Sequence, residues 1–353
     1  MKRYLICLLT LAGWFAAEGR EVIPLNEGWR FYYQSEKSAD RARTVTLPHS
    51  WNTDPTAGSS FVETTGCYLN TLYVPADWAG ERLFVKFYGA QSVADLFVNG
   101  RFAGTHSGAA TAFVFEITDK VRFGAENDLL VTVSNSVRND VLPTSTDTNR
   151  YGGLYRGVEL IRTAPTAVSP LYLGSEGILV HPQAVSAEKA SGEVEIHLTA
   201  RRKEESCLLT LEIADASGKR VFTHRQRVRV DEKPVEVPFA VERPQLWSPA
   251  HPALYTVTVS LAGANGEVTD RTSVRTGFRT IEVTPAGGFT INGDRCRAVR
   301  PRSRIWMPTC RRSRIWEPMR SGRPSCPMRP TSTTAATKRG CWFGSTCPST
   351  APF

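Results

Sequence analysis

From residue 20 to about residue 165, apolar and polar positions alternate in short runs with a period of two. Leu83, Val85 and Phe87 alternate with Phe84, Lys86 and Tyr88. Phe113, Phe115 and Ile117 alternate up to Thr118-Asp119, and Leu129, Val131 and Val133 form another run. Successive strand side chains point to opposite faces, so this period predicts strands. Asp95-Leu96-Phe97-Val98 leads into Asn99-Gly100, a hairpin dipeptide that tolerates positive backbone φ. No amphipathic helical run interrupts the series. Many short antiparallel strands in about 145 residues predict a jelly-roll β-sandwich over residues 20–165.

After Thr163–Pro170 the pattern restarts. Val194-Ile196-Leu198 and Leu209-Leu211-Ile213 alternate with polar neighbours, Val221–Val230 and Val235–Val241 follow, and Tyr255-Val257-Val259-Leu261 precedes a turn at Gly263–Gly266. Roughly seven strands predict an immunoglobulin-like sandwich over residues 170–285, without the Cys…Trp…Cys hallmark of antibody domains. Gly287–Gly293 reads as a further hairpin, within residues 286–298, ahead of a new domain. The expected class is all-β.

Lys2 and Arg3 precede an apolar run from Tyr4 to Ala17, which reads as a signal peptide at residues 1–17. The run is too short to span a bilayer. An exported, periplasmic or secreted protein, off the membrane after cleavage, is the expectation. Cys67, Cys207 and Cys296 are too widely spaced for a disulfide framework. The six histidines are scattered singly, so neither a metal site nor a cofactor is expected.

Charge changes the picture only at the C-terminal end. The chain holds 43 basic and 34 acidic residues, a net +9. From Arg297 onward there are 12 Lys/Arg against Glu317 alone, about +11, which leaves 31 basic and 33 acidic residues before it. The basic balance is therefore not a property of the predicted sandwiches, and it excludes reading them as nucleic-acid-binding from net charge.

Several segments together resemble glycoside hydrolase family 2. These are Leu25–Phe31, Leu47-Pro48-His49-Ser50-Trp51-Asn52, Leu96–Gly100 with Ala103–Gly108, and Tyr151-Gly152-Gly153-Leu154-Tyr155-Arg156. Pro244–Pro249 with Pro252–Tyr255, and Gly277–Val283 with Phe289–Gly293, continue the same order. The resemblance implies a sugar-binding jelly roll, an immunoglobulin-like sandwich and then a TIM barrel. It implies a β-galactosidase-type retaining glycosidase acting on an oligosaccharide or glycan, with β-glucuronidase, β-mannosidase or a non-catalytic carbohydrate-binding module as alternatives. Homo-oligomerisation of a full-length form stays open.

Beyond residue 298 the chain departs from the family. Ser303–Pro308 and Ser313–Pro318 are near copies in a Pro-punctuated basic stretch. One permitted coding of Thr337–Ser349, read one nucleotide earlier, gives D-E-E-G-[LMV]-L-V-W-I-D-M-P-F, which resembles a barrel strand of the family. Residues 299–353 are accordingly expected to be an out-of-frame tail, and the start of the barrel incomplete and disordered. The alternative is an Arg/Trp segment that binds single-stranded nucleic acid.

A retaining glycosidase needs two carboxyl groups about 5–5.5 Å apart. The resemblance implies that the family's paired glutamates fall beyond Phe353, so no catalytic residue is assigned and the chain alone is expected to be inactive. The loop Ser145–Arg150 matches the family loop that reaches the barrel mouth, which makes Asp147 and Asn149 the candidate substrate-binding residues. Their carboxylate and amide suit paired sugar hydroxyls, while turn-forming chemistry explains them equally well. Arg156 is expected in a structural ion pair, and Trp29, Trp51 and Trp247 in packing rather than on a sugar face.

Overall fold

The computed structural model describes residues 19–36, 39–53, 62–142, 151–201, 206–231, 233–284 and 288–295. The predicted signal peptide, Asp147 and Asn149, and the basic tail lie outside the described residues. Within them the regular structure is strand, with short 3-10 turns between.

The first sandwich pairs a six-stranded sheet with a four-stranded one. The larger sheet is ordered β3 (Arg43–Val45), β2 (Trp29–Tyr33), β4 (Thr65–Val74), β9 (Ala125–Ser134), β6 (Val93–Val98), β7 (Arg101–Ser107). The smaller is ordered β1 (Glu21–Pro24), β10 (Val158–Thr163), β5 (Arg82–Phe87), β8 (Phe113–Glu116). Trp29, Phe31, Tyr68, Leu96 and Val131 from one sheet and Leu83, Val85, Phe87 and Leu160 from the other share one core. The turn at Asn99-Gly100 has φ of 50° and 74°, the left-handed pair that matches the twist of a two-residue hairpin.

The second sandwich packs β12 (Ile178–Val185), β13 (Lys189–Ile196) and β17 (Val235–Glu242) against a four-stranded sheet. That sheet is ordered β16 (Arg220–Arg229), β15 (Ser206–Ala214), β18 (Tyr255–Ala262), β19 (Val268–Thr276). A short pair, β11 (Thr166–Val168) with β14 (Leu198–Ala200), stands beside them. Its core is mainly branched aliphatic, with Leu209, Leu211, Ile213, Val237, Val257 and Val259 at its centre.

β5 departs from the simple alternation in its sequence. Leu83, Val85 and Phe87 enter the core, yet Arg82, Phe84 and Lys86 on the other face are buried as well. The second sandwich supplies the reason. Arg82 is held by Glu116 of β8 at 2.8 Å and donates to Thr199 Oγ1 of β14, while Lys86 Nζ lies 2.6 Å from Glu176. Arg20 extends this seam by pairing at 3.0 Å with Asp270 of β19, which is fully buried and also accepts from Val168 N. Arg20 donates further to the Val168 carbonyl.

A second compact unit starts at Glu282. In the sheet ordered β20 (Ile281–Thr284), β21 (Gly288–Ile291), β22 (Asp294–Arg295), the last two strands form the expected hairpin through Asn292 and Gly293, with φ of 53° and 81°.

Candidate functional site

Asp147 and Asn149 belong to residues 143–150, so the site is built from what fixes the two ends of that segment. Just before it, after β9, Asn135 is fully buried and Val141 nearly so. Arg138 and Asp140 form a bidentate pair at 2.9 and 2.7 Å. The hydrogen bonds from Arg138 hold the Asp140 carboxyl below its ordinary range. Just after the segment come Tyr151, Gly152, Gly153 and Leu154, the run recognised in the sequence.

Those glycines are required by contact and by conformation. A Cβ on Gly152 would sit 1.9 Å from Trp51 Cζ2. Gly153 has φ of +124°, and a Cβ there would meet the His49 carbonyl oxygen at 2.5 Å. Only a residue without a side chain brings the backbone this close. The contact is then stitched by hydrogen bonds. Gly152 N donates to Asn52 Oδ1 at 2.8 Å, Ser50 Oγ donates to the Gly152 carbonyl at 2.8 Å, and His49 N donates to the Leu154 carbonyl at 2.8 Å.

The same network ties down the residues flanking the segment 54–61. The Val62 carbonyl accepts from Trp51 Nε1 at 3.2 Å, Asn52 Nδ2 at 3.1 Å and Asn135 Nδ2 at 2.9 Å. Asn135 Oδ1 in turn accepts from Thr64 N at 2.8 Å. Asn52 and Asn135 thus form an amide belt between the ends of two segments. Behind it lie rings: Trp51 stacks on Phe31 at 5.8 Å, Phe31 lies 4.9 Å from Tyr68, and Tyr68 Oη meets His49 Nδ1 at 2.8 Å. Trp51 and Tyr68 are fully buried. Large rings give the belt a rigid floor because buried aromatics have few rotamers and many neighbours.

Trp29 and Trp51 are core residues, as expected. Trp247 is half-buried, with Gly277 against its ring and the Arg279 guanidinium 4.8 Å above it. Arg156 differs from expectation: it donates to the Tyr88 and Ala110 carbonyls at 3.2 and 3.4 Å and lies over the Tyr155 ring, and no carboxylate among the described residues pairs with it. The carbonyls win because Gly89 lets its stem pass close by.

The belt offers amides, carbonyls and hydroxyls, which position a loop but do not transfer protons. Elsewhere, Glu116 and Glu195 are carboxylates held by basic partners. Burial alone would raise the Glu116 carboxyl, but Arg82 carries it below its ordinary 4.5. Glu195 is held low by hydrogen bonds from His181 at 2.8 Å and His197 at 2.7 Å, so two histidines that look isolated in sequence meet on one carboxylate. Among the described residues no group of three His, Cys, Asp or Glu side chains is arranged to hold a metal ion. Cys67 and Cys207 are both buried.

Sequence reasoning passed over His49, Asn52 and Asn135. The signal for the first two was present, since both lie in the Leu47–Asn52 run. Two runs 100 residues apart prove to be the two halves of one contact.

Family profiles match both sandwiches. The profile described as glycosyl hydrolases family 2, sugar binding domain, matches residues 21–164, and that described as glycosyl hydrolases family 2 matches residues 176–279. The chain is 34% identical over 281 residues to a β-glucuronidase of Bacteroides fragilis, covering 78% of this chain and 40% of that protein. It is 28% identical over 292 residues to a β-galactosidase of Thermoanaerobacter pseudethanolicus, covering 78% and 38%. A crystal structure of a putative β-galactosidase from Bacteroides fragilis superposes with a TM-score of 0.73 at 31% identity, covering 79% and 44% of the two chains. That of Bacteroides uniformis β-glucuronidase gives 0.70 at 27%, covering 78% and 34%. The chain thus spans about two-fifths of the length of the curated relatives it matches.

Proposed function

The chain belongs to glycosyl hydrolases family 2, and from that membership we propose that it works in the hydrolysis of β-linked glycans. Its part is to present a sugar-contacting loop on the first sandwich and to brace that sandwich with the second. The observation that carries this reading is the amide belt. Asn52, Asn135, Gly152 and Trp51 fix both flanks of residues 143–150, which hold Asp147 and Asn149. In this reading Asp147 accepts hydrogen bonds from sugar hydroxyls and Asn149 both donates and accepts, while the two carboxyls of a retaining mechanism are assigned to no described residue. The protein acts after export, and its domains run 20–165 and 170–285.

For the sugar we favour a β-glucuronide, supported by 34% identity to the relative named β-glucuronidase against 28% to one named β-galactosidase. A β-galactoside is the second reading, favoured by the 31% identity to the Bacteroides fragilis putative β-galactosidase structure. Glycan-array binding by the full chain, competed with free glucuronate or galactose, separates the two. Asp147→Ala and Asn149→Ala are expected to weaken binding at least tenfold with the thermal midpoint unchanged. Undiminished binding by both variants would remove the loop from the site.

A further inference from the structure

The chain ahead of Arg297 is slightly acidic, yet one surface of the second sandwich is strongly basic. β16 reads Arg-Val-Phe-Thr-His-Arg-Gln-Arg-Val-Arg, and its arginines at 225, 227 and 229 fall on alternate positions and are exposed. The partners across β15 place the faces. Leu209 and Leu211, opposite Gln226 and His224, point into the core, so Arg225, Arg227 and Arg229 point outward. On the far side of the same sheet, β19 turns Arg271 and Arg275 outward, opposite Ser260 and Thr256. Two arginine rows therefore border one sheet face. Between them the outward positions of β15 and β18 include Thr210, Thr256, Thr258 and Ser260, a lane of hydroxyls. The one acid at an outward position on these four strands, Glu212, is paired with Arg220 at 2.8 Å.

Spacing gives this face a repeat. Alternate residues on a strand lie about 6.8 Å apart, and three inter-strand steps of about 4.8 Å set the two rows roughly 14 Å apart. Charge on a sheet edge also discourages pairing with another chain. That role fits the arginines on β16 and β19, which are the two edge strands of this sheet, but it does not account for the lane of hydroxyls between them, three inter-strand steps across.

We propose that this face binds a linear acidic polysaccharide, a glycan chain carrying repeated carboxylates or sulfates. Guanidinium groups bind such anions bidentately, and an extended polyanion lies along the lane with its hydroxyls meeting Thr and Ser. The outward positions of β16, β15, β18 and β19 carry no aromatic ring, which argues against single-stranded nucleic acid, whose bases need stacking platforms. The proposal is independent of which sugar the loop at 143–150 takes. It concerns retention of an acidic glycan chain on the second sandwich rather than contact with the sugar to be cleaved.

Because the residues from Arg297 onward are also basic, the test varies the face and keeps the rest of the chain constant. Binding of the full chain to dextran sulfate and to polygalacturonate is measured across a salt series, with single-stranded DNA and uncharged dextran as comparators. Arg225→Ser/Arg227→Ser/Arg275→Ser is expected to weaken binding to both acidic polysaccharides at least tenfold and to make the salt dependence shallower by about two to three charges. The Arg→Lys triple variant should keep the salt slope, and Thr258→Val/Ser260→Ala should lose several-fold affinity for polygalacturonate with DNA binding unchanged. All these side chains are on the surface, so matching circular dichroism is expected for every variant. Unchanged affinity in the Arg→Ser variant would overturn the proposal in favour of the basic C-terminal residues. Tighter face-dependent binding of DNA than of either polysaccharide would overturn it in favour of a nucleic-acid surface.

Discussion

The two sandwiches fill their cores differently. The first packs Trp29, Phe31, Trp51, Tyr68 and Phe87 around its centre, with the buried amide Asn135 at one end. The second fills the same space with Leu209, Leu211, Ile213, Val237, Val257 and Val259. Each fully buried aliphatic side chain stabilises by about 1.5–3 kcal/mol, so the second core needs nothing more elaborate to be stable. The first must also hold the flanks of two irregular segments. Strand ladders stop at those flanks, and rings, glycines and side-chain amides take over the satisfaction of backbone groups. A core that positions a loop is built from shape, whereas one that only supports is built from volume.

Variants can break this contrast. The largest effect is expected at the seam between the sandwiches. Asp270→Ala leaves the buried Arg20 with only Glu176, 3.8 Å away, as a carboxylate partner and strips Val168 N of its acceptor; it should cost about 3–5 kcal/mol, splitting a single calorimetric transition into two. One unsplit transition would mean that the apolar contacts alone couple the sandwiches. Trp51→Ala should cost about 3–5 kcal/mol in urea unfolding and abolish glycan binding together with it. Leu211→Ala in the second core should cost about 2–5 kcal/mol, yet leave glycan binding intact at temperatures where the protein stays folded. Equal loss of binding in both variants would erase the distinction between positioning and supporting cores.

Smaller effects sharpen it. Asn52→Ala leaves Gly152 N without its acceptor and the Val62 carbonyl without one of its donors, and should cost about 1–3 kcal/mol, with loop-dependent binding falling more than stability. The pH dependence probes the seam again. Glu116 is held below its ordinary 4.5, so its contribution is complete above that value and is lost as pH falls through the depressed one. The thermal midpoint should drop in that acid range, and Glu116→Gln should flatten the drop.

Much of the fold was legible in the chain. Period-two runs located β5, β9, β15 and β18, and Asn99-Gly100 marked its hairpin because few other residue pairs accept two positive φ values. The site was only half legible. Leu47–Asn52 and Tyr151–Arg156 stood out separately, but nothing in either run states that Trp51 lies on Gly152. Carbonyls stand where a carboxylate partner of Arg156 is expected, since its partners are set by where Gly89 and Ala110 come to lie. His181, Glu195 and His197 looked unrelated because strand pairing, which brings β12 beside β13, is not written in either strand.

The sequence by itself determined the strands, their turns and which side chains face inward, because these depend on neighbouring φ/ψ preferences and on a period of two. The tertiary structure alone decided that both faces of β5 would be covered, that two distant runs would form one belt, and that Arg225, Arg227, Arg271 and Arg275 would share a surface. Those outcomes depend on sheet order and on one sandwich docking against another. They bring together residues far apart along the chain, where local propensity carries no information.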